Sequence, residues 1–224
     1  LMRRSENWRH VINPKTGWAD GRHQNRKWEN NLDLVHRKSY ITEGATCHYT
    51  WYVPQNVEGL FQVINNSGQN VITRLDRMFD EGLYWHGNEP CHQIAYLYNK
   101  AGAPWKTQQR IHHILNTEYN DTPGGLSGND DAGQMSAWYM FSAIGFYPVC
   151  PATPYYYIGT PSFDKVTFNL ENGRKFEIVA EGVDDENFYI QQVDLNGKSG
   201  YFLSHDDLLK GGKLSFRMGN SPKY

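Results

Sequence analysis

No apolar run in this sequence is long enough to cross a bilayer, which takes about 20 consecutive apolar residues. Nor is there an excess of positive charge. The 22 lysines and arginines face 24 acidic residues, a formal net charge of −2. A polyanion such as nucleic acid, or an anionic membrane surface, is recognised by a positive field that this balance does not supply. Cysteine is scarce. Cys47, Cys91 and Cys150 are odd in number and widely spaced, with no Cys-x-x-Cys pair and no disulfide framework, so they do not fix a redox compartment. No solenoid-type repeat is visible. A signal peptide is also missing, but the first ten residues read as the inside of a helix, and the expectation is a piece of a longer protein.

Aromatic rings are plentiful: 14% of the residues, with 7 Trp and 15 Tyr. Such rings fill cores, and where exposed they stack on flat apolar ligand faces such as those of sugars. Along the chain, residues 1–12 read as the end of a helix stopped by Asn13-Pro14, and 13–31 as a long irregular loop in which Trp18, Trp28, Arg22, Arg26 and Lys27 are either substrate-facing or simply solvated. Residues 39–54 predict a helix capped by Thr42, with Cys47, Thr50 and Trp51 on one face. Helices follow over 55–65 and about 68–79, with apolar stripes Val57, Leu60, Phe61, Ile64 and Val71, Leu75, Met78. A further helix starts near Pro90, another covers 105–119, and another follows the triplet Asn129-Asp130-Asp131, whose residues suit its cap. From about residue 148 the texture changes to short alternating segments. Val166–Leu170 and Lys175–Val179 flank Asn172-Gly173, the signal for a hairpin with a type I′ turn. Phe188–Leu195 and Ser199–Leu203 flank Asn196-Gly197, a second such signal, and Lys213–Met218 reads as a last strand. About 150 residues are therefore helical and the rest all-β.

Three acidic points share one pattern, each just ahead of a helix start: Glu43 in Thr-Glu-Gly, Glu89 in Gly-Asn-Glu-Pro, and Asp130 and Asp131 in Gly-Asn-Asp-Asp-Ala-Gly. In an array of helical hairpins, alternate helix starts lie at one end. Carboxylates gathered there can divide acid and base work, or hold a hard cation through oxygen. Taken singly, each is explained as a charge stabilising its own helix N-terminus.

The motifs around these points resemble those of glycoside hydrolase family 92, the calcium-dependent α-mannosidases. They are Glu43-Gly44 with Tyr49-Thr-Trp-Tyr-Val-Pro54; Gly87-Asn-Glu-Pro-Cys-His92 with Ala95-Tyr-Leu-Tyr-Asn-Lys-Ala-Gly-Ala-Pro-Trp105; and Gly128-Asn-Asp-Asp-Ala-Gly-Gln-Met-Ser-Ala-Trp138 running to Gly145-Phe-Tyr-Pro148. The resemblance is strong over about residues 40–160 and implies a multidomain α+β protein. Residues 1–150 would be the later helices of an (α/α)6 catalytic barrel of helical hairpins, and 151–224 a small antiparallel β domain. An N-terminal remainder of the same protein is expected to complete the fold.

The implied activity is exo-acting and inverting, removing terminal α-linked mannose from glycans. Glu43 corresponds to the general acid, and the base lies in Asn129–Asp131, with Asp131 preferred over Asp130. Ca2+ is implied, with Asn88 and Glu89 contributing ligands. His86, Gly87, Trp51 and His48 are implied to contact substrate. A secreted, periplasmic or cell-surface location is implied as well. Some positions depart from common members of the family. Asn129 stands where some carry an acid, and Gly87 where some α-1,2-selective members have Glu. Ala45, Cys47 and His48 stand where Asn, Trp and Gln are frequent, which points to altered linkage or leaving-group preference. The competing reading is a non-catalytic carbohydrate-binding fragment of such an enzyme; retention of Glu43 and Asp131 favours the enzyme.

Overall fold

The computed structural model describes residues 1–29, 31–197 and 200–224. They divide into two compact units, Leu1–Ile94 and Ala95–Tyr224. No helix among the described residues is long and apolar enough to cross a membrane.

The first unit opens with α1 (Met2–Ser5) and a 3-10 turn (Asn7–His10). A continuous helix up to Asn13 does not form. The Asn13 side chain accepts the Lys15 N–H at 3.0 Å, and its carbonyl accepts from Thr16 and Gly17, so the local polar competitor turns the chain instead. The predicted irregular loop is accordingly ordered in part: β1 (Ile12–Asn13) pairs antiparallel with β2 (Trp18–Ala19). Gly17 closes this turn with φ 67°, and a Cβ there would lie 2.8 Å from an Arg74 guanidinium nitrogen. That guanidinium donates to the carbonyls of Gly17 and Thr16, both at 2.8 Å, and stacks 4.2 Å from the Trp18 ring. Trp18 is thereby committed to the hairpin, and Arg22 covers Trp28 at 4.6 Å.

The helix expected over 39–54 shrinks to one turn, α2 (Thr46–Tyr49), capped by Ala45 rather than Thr42. Here the His48 ring takes the capping role in reverse: its Nδ1 accepts the Ala45 N–H at 3.0 Å. The amphipathic helices form as the 3.6-residue period demands. They are α3 (Val57–Asn66), capped by Asn56, and α4 (Val71–Asp80), capped by Asn70. Their stripes bury Leu60, Ile64, Leu75 and Met78 completely, each worth about 2 kcal/mol of transfer free energy. Past α4, the region near Pro90 is a 3-10 turn, Glu89–Cys91.

In the second unit, α5 (Leu97–Lys100), α6 (Pro104–Thr117) and α7 (Gln134–Ile144) precede two sheets. The strands are β3 (Phe146–Tyr147), β4 (Tyr155–Ile158), β5 (Lys165–Asn169), β6 (Lys175–Glu181), β7 (Tyr189–Leu195), β8 (Phe202–Ser204) and β9 (Gly212–Gly219), with α8 (His205–Leu209) between the last two. The smaller sheet has the order β3-β4-β8 and the larger β5-β6-β9-β7. All pairings are antiparallel except β6 with β9, which is parallel. The β5–β6 hairpin forms, but only Gly173 takes positive φ (78°). The loop is therefore a turn followed by a left-handed glycine, not the type I′ turn predicted from Asn-Gly.

The second predicted hairpin does not form. Asn196 and Gly197 do turn the chain with φ 48° and 87°, yet β7 pairs with β9 and β8 joins β4. The turn signal specifies a reversal, whereas the partner is chosen by burial. Leu214, Phe216 and Met218 of β9 alternate into the same core as Ile190, Val193 and Leu195 of β7, and Leu203 of β8 is fully buried. Ser199 of that prediction lies outside the described residues. The change from helix to strand expected near residue 150 lies inside this unit, where β3 follows α7 directly.

Candidate active site

Glu43 sits in a tight turn ahead of α2, where the Gly44 N–H donates to the Thr42 carbonyl at 3.0 Å. Its φ is 66°, in the left-handed region, which costs a non-glycine residue about 1–2 kcal/mol. Two neighbours hold the turn. The Tyr49 hydroxyl donates to the Thr42 carbonyl at 2.5 Å. Asn88 Nδ2 donates to Glu43 Oε2 at 3.1 Å, leaving Oε1 exposed and without a protein partner among the described residues. Gly44 lets α2 approach this closely: a Cβ would lie 2.9 Å from His48 Nδ1 and 3.0 Å from the Tyr49 ring. Partial burial, with the Glu43 carboxylate next in importance, pushes the Tyr49 phenol up, so the brace stays a neutral donor.

Asn88 precedes the Glu89–Cys91 turn and is buried. With its amide nitrogen engaged by Glu43, its Oδ1 has no hydrogen-bond partner among the described residues. A buried carbonyl left unsatisfied costs about 1–3 kcal/mol, and it is the kind of hard oxygen a calcium ion takes. Glu89, half-buried, contributes a carboxylate at the adjacent position. No cluster of three or more His, Cys, Asp or Glu able to hold a metal occurs among the described residues. A calcium ion held by Asn88 and Glu89 would therefore draw further oxygens from carbonyls, water or ligand hydroxyls.

In the second unit the triplet does not cap α7 as its immediate N-cap. That position is Gly133, with φ 98°. Asp130 acts from further back, its Oδ1 accepting both the N–H and the hydroxyl of Ser136 at 2.9 Å. Asp131 is exposed on left-handed backbone, φ 48°, followed by Ala132 at 57°. Its carboxylate has no partner among the described residues. Asn129 is exposed.

The glycosyl hydrolase family 92 catalytic domain matches residues 1–220. The chain belongs to this family. A family 92 α-mannosidase from Bacteroides thetaiotaomicron is 42% identical with a TM-score of 0.90, over 97% of this chain and 30% of its own. A family 92 inverting mannosidase from the same organism is 34% identical with a TM-score of 0.89, over 98% and 33%. A further structure, an α-mannosidase in complex with mannoimidazole, is 39% identical with a TM-score of 0.90, covering 97% of this chain and 32% of its own. An uncharacterized secreted glycosidase of Arthroderma benhamiae is 31% identical over 174 residues, 75% of this chain and 22% of the relative. The chain thus spans about a third of the length of these solved structures.

For a family 92 chain, the candidates predicted to contact substrate are placed unevenly. Trp51 is fully buried, and its ring fills the core of the first unit rather than offering a face to a ligand. His48 bridges the Ala45 N–H and the Leu83 carbonyl, the latter at 2.9 Å, so both ring nitrogens serve the backbone. His86 is 1% exposed. Its Nδ1 meets the Tyr84 hydroxyl at 2.7 Å, and its carbonyl accepts from His92 Nε2 at 3.0 Å. Burial, with His92 adding to it, drives the His86 imidazole down to about 3, so it stays neutral and supports its loop. Gly87, next to it, is half-buried. Tyr49, absent from the sequence-derived set, braces the Glu43 turn; its position six residues after Glu43, at the end of α2, was the available signal.

Proposed function

We propose that the protein containing this chain is an exo-acting α-mannosidase that removes terminal α-linked mannose from glycans with inversion at the anomeric carbon. The observation that carries the reading is shared by Glu43 and Asp131. In a family 92 chain, both place a carboxylate on left-handed backbone beside or close to glycine, exposed and with unused oxygen. Strained backbone of this kind clusters at active sites, which makes both carboxylates candidates for reacting positions. Family membership and mannosidase relatives support the same conclusion.

In the mechanism, Glu43 gives its proton to the glycosidic oxygen as the bond to the anomeric carbon breaks. Asp131 takes a proton from a water attacking the opposite face, and the product leaves as the β-anomer. Such a pair stands about 6.5–9.5 Å apart, leaving room for the water. Asn88 orients Glu43 through its amide, and Tyr49 fixes the turn that carries it. Asp130 holds the loop to α7 so that Asp131 faces the water. Asn88 Oδ1 and the Glu89 carboxylate would hold the calcium ion, which when bound supplies a positive charge for adjacent sugar hydroxyls. The N-terminal remainder of the protein completes the fold and the sugar pocket. The secreted glycosidase among the relatives favours action outside the cytoplasm.

The test is release of mannose from an α-mannobioside by the complete protein, with the first-formed anomer read by proton NMR. β-Mannose is expected. α-Mannose as the first product would refute inversion, and no mannose release would refute the activity.

A further inference from the structure

A cavity that none of Glu43, Glu89, Asp130 or Asp131 lines lies within the second unit. Its volume is about 740 Å³, well inside the usual range of small-molecule sites. Three kinds of group meet there. The first is aromatic. Trp105, at the start of α6, and Tyr201 are half-buried, and Phe202, opening β8, is 38% exposed. The rings are held without a ligand. The Gln108 side chain, which accepts the Ile190 N–H at 2.9 Å, also hydrogen-bonds the Tyr201 hydroxyl, and Phe202 packs edge-on against Tyr157 at 4.8 Å. The second kind is amide. The register of β7 against β9 shifts between Ile190 and Gln192, a bulge of the sort that re-aims a side chain. Gln191, the extra residue, spends its groups on the chain: its Nε2 donates to the Ser221 carbonyl at 2.7 Å, and its carbonyl accepts from Lys223 Nζ at 2.8 Å. The amide of Gln192, which is exposed, makes no hydrogen bond among the described residues. Asn99 is only 8% exposed; its Nδ2 donates to the Ile158 carbonyl at 2.7 Å, and its Oδ1 has no hydrogen-bond partner among the described residues. The third kind is charge, of which there is little. No carboxylate side chain lines the cavity, and its one ammonium, Lys223, already bonds Gln191.

Aromatic faces beside uncommitted amides, with little charge, suit a neutral sugar, whose C–H face stacks and whose hydroxyls both donate to and accept from amide groups. We infer that this cavity is a second, non-catalytic glycan site, which holds a sugar unit of a mannose-containing chain apart from the reaction. Phe202 and Trp105 supply stacking faces, the Gln192 amide bonds the sugar hydroxyls, and Asn99 supplies a further acceptor. The choice of mannose as the sugar rests on the proposed activity. Such a site raises the residence of a branched or polymeric substrate on the enzyme and does nothing for a disaccharide.

The complete protein is run through native gels with and without soluble α-mannan, and Kd is read from the retardation. The parent should be retarded. Gln192→Ala and Phe202→Ala, both at exposed positions, should each raise Kd by about 5-fold or more, with the thermal unfolding midpoint and kcat/KM on an α-mannobioside unchanged. Phe202→Tyr, which keeps the ring, should bind as the parent does. A parent that α-mannan does not retard overturns the site, and so does retardation that is equal in the parent and both alanine variants. A parent that is retarded through this cavity but releases no mannose overturns the mannosidase reading and leaves the glycan site standing.

Discussion

Replacing Glu43 by glutamine removes one proton donor and disturbs little else. The new side chain has the same length, and its amide oxygen still accepts the 3.1 Å bond from Asn88. The backbone at φ 66° treats both residues alike. Stability should therefore stay within about 0.5 kcal/mol of the parent. Catalysis should not. General acid assistance is worth about 10²–10⁴ in rate, or about 2.7–5.4 kcal/mol of barrier, and the loss depends on what leaves. A sugar alkoxide needs the proton as the bond breaks, whereas fluoride departs unaided. Steady-state kinetics of the complete protein should show at least about a 100-fold fall in kcat on an unactivated mannobioside, with most of the rate on α-mannosyl fluoride kept. Undiminished turnover on the mannobioside would refute the acid assignment. An equal fall on both substrates would show that Glu43 binds or orients instead of transferring a proton.

Asp131→Asn should lose about 10²–10⁴ in kcat on mannobioside and fluoride alike, because water must be activated whichever group leaves; a variant spared on the fluoride would argue against Asp131 as base. Asp130→Ala should cost about 1 kcal/mol, a typical loss for a helix-capping oxygen, in denaturant unfolding, because Ser136 loses both of its bonds to Asp130; an unchanged midpoint would deny the capping role. Chelation with excess EDTA should abolish mannose release and added Ca2+ restore it, and full activity in EDTA would refute the calcium assignment. His86 titrates near 3 in the folded protein against 6.5 ordinarily, so only the unfolded chain binds its proton between those values. Its contribution to stability is complete above pH 6.5 and is lost as pH falls toward 3, by about 1.4 kcal/mol per pH unit. Equilibrium unfolding at pH 7 and pH 5 of the parent and of a His86→Gln variant checks this, the variant showing the flatter dependence.

What the sequence made legible was whatever local chemistry decides. The stripes of α3 and α4 appear where their 3.6-residue period puts them, and the β5–β6 hairpin forms across its glycine. Partner choice was not legible. Asn196-Gly197 announced a reversal correctly but could not say that β7 would pair with β9, since that depends on which apolar faces share a core. The site divided in the same way. The motifs singled out Glu43 and the Asn129–Asp131 triplet as candidates, because carboxylates ahead of helix starts are visible in one dimension. Rank within the site was hidden, since it depends on solvent exposure. Trp51 and His86 are as conspicuous in sequence as Tyr49, yet Trp51 is fully buried, His86 is neutral and buried, and Tyr49 holds the turn of Glu43.

Under the proposed mechanism, the triplet at Asn129–Asp131 serves stability and chemistry in one loop without conflict. A residue cannot both spend its carboxylate oxygens on backbone N–H groups and keep them available as a base. Here the two demands fall on neighbours. Asp130 spends Oδ1 on Ser136 and ties the loop to α7, while Asp131 is lifted onto left-handed backbone with its carboxylate unpartnered among the described residues. The same division recurs around Glu43, where Asn88 and Tyr49 make the structural bonds and Glu43 Oε1 is left open. At about 1–2 kcal/mol for each left-handed residue, a glycine at either position would relieve the strain and remove the proposed reacting group with it. These two positions are therefore where a gain in stability and a loss of activity should arrive together.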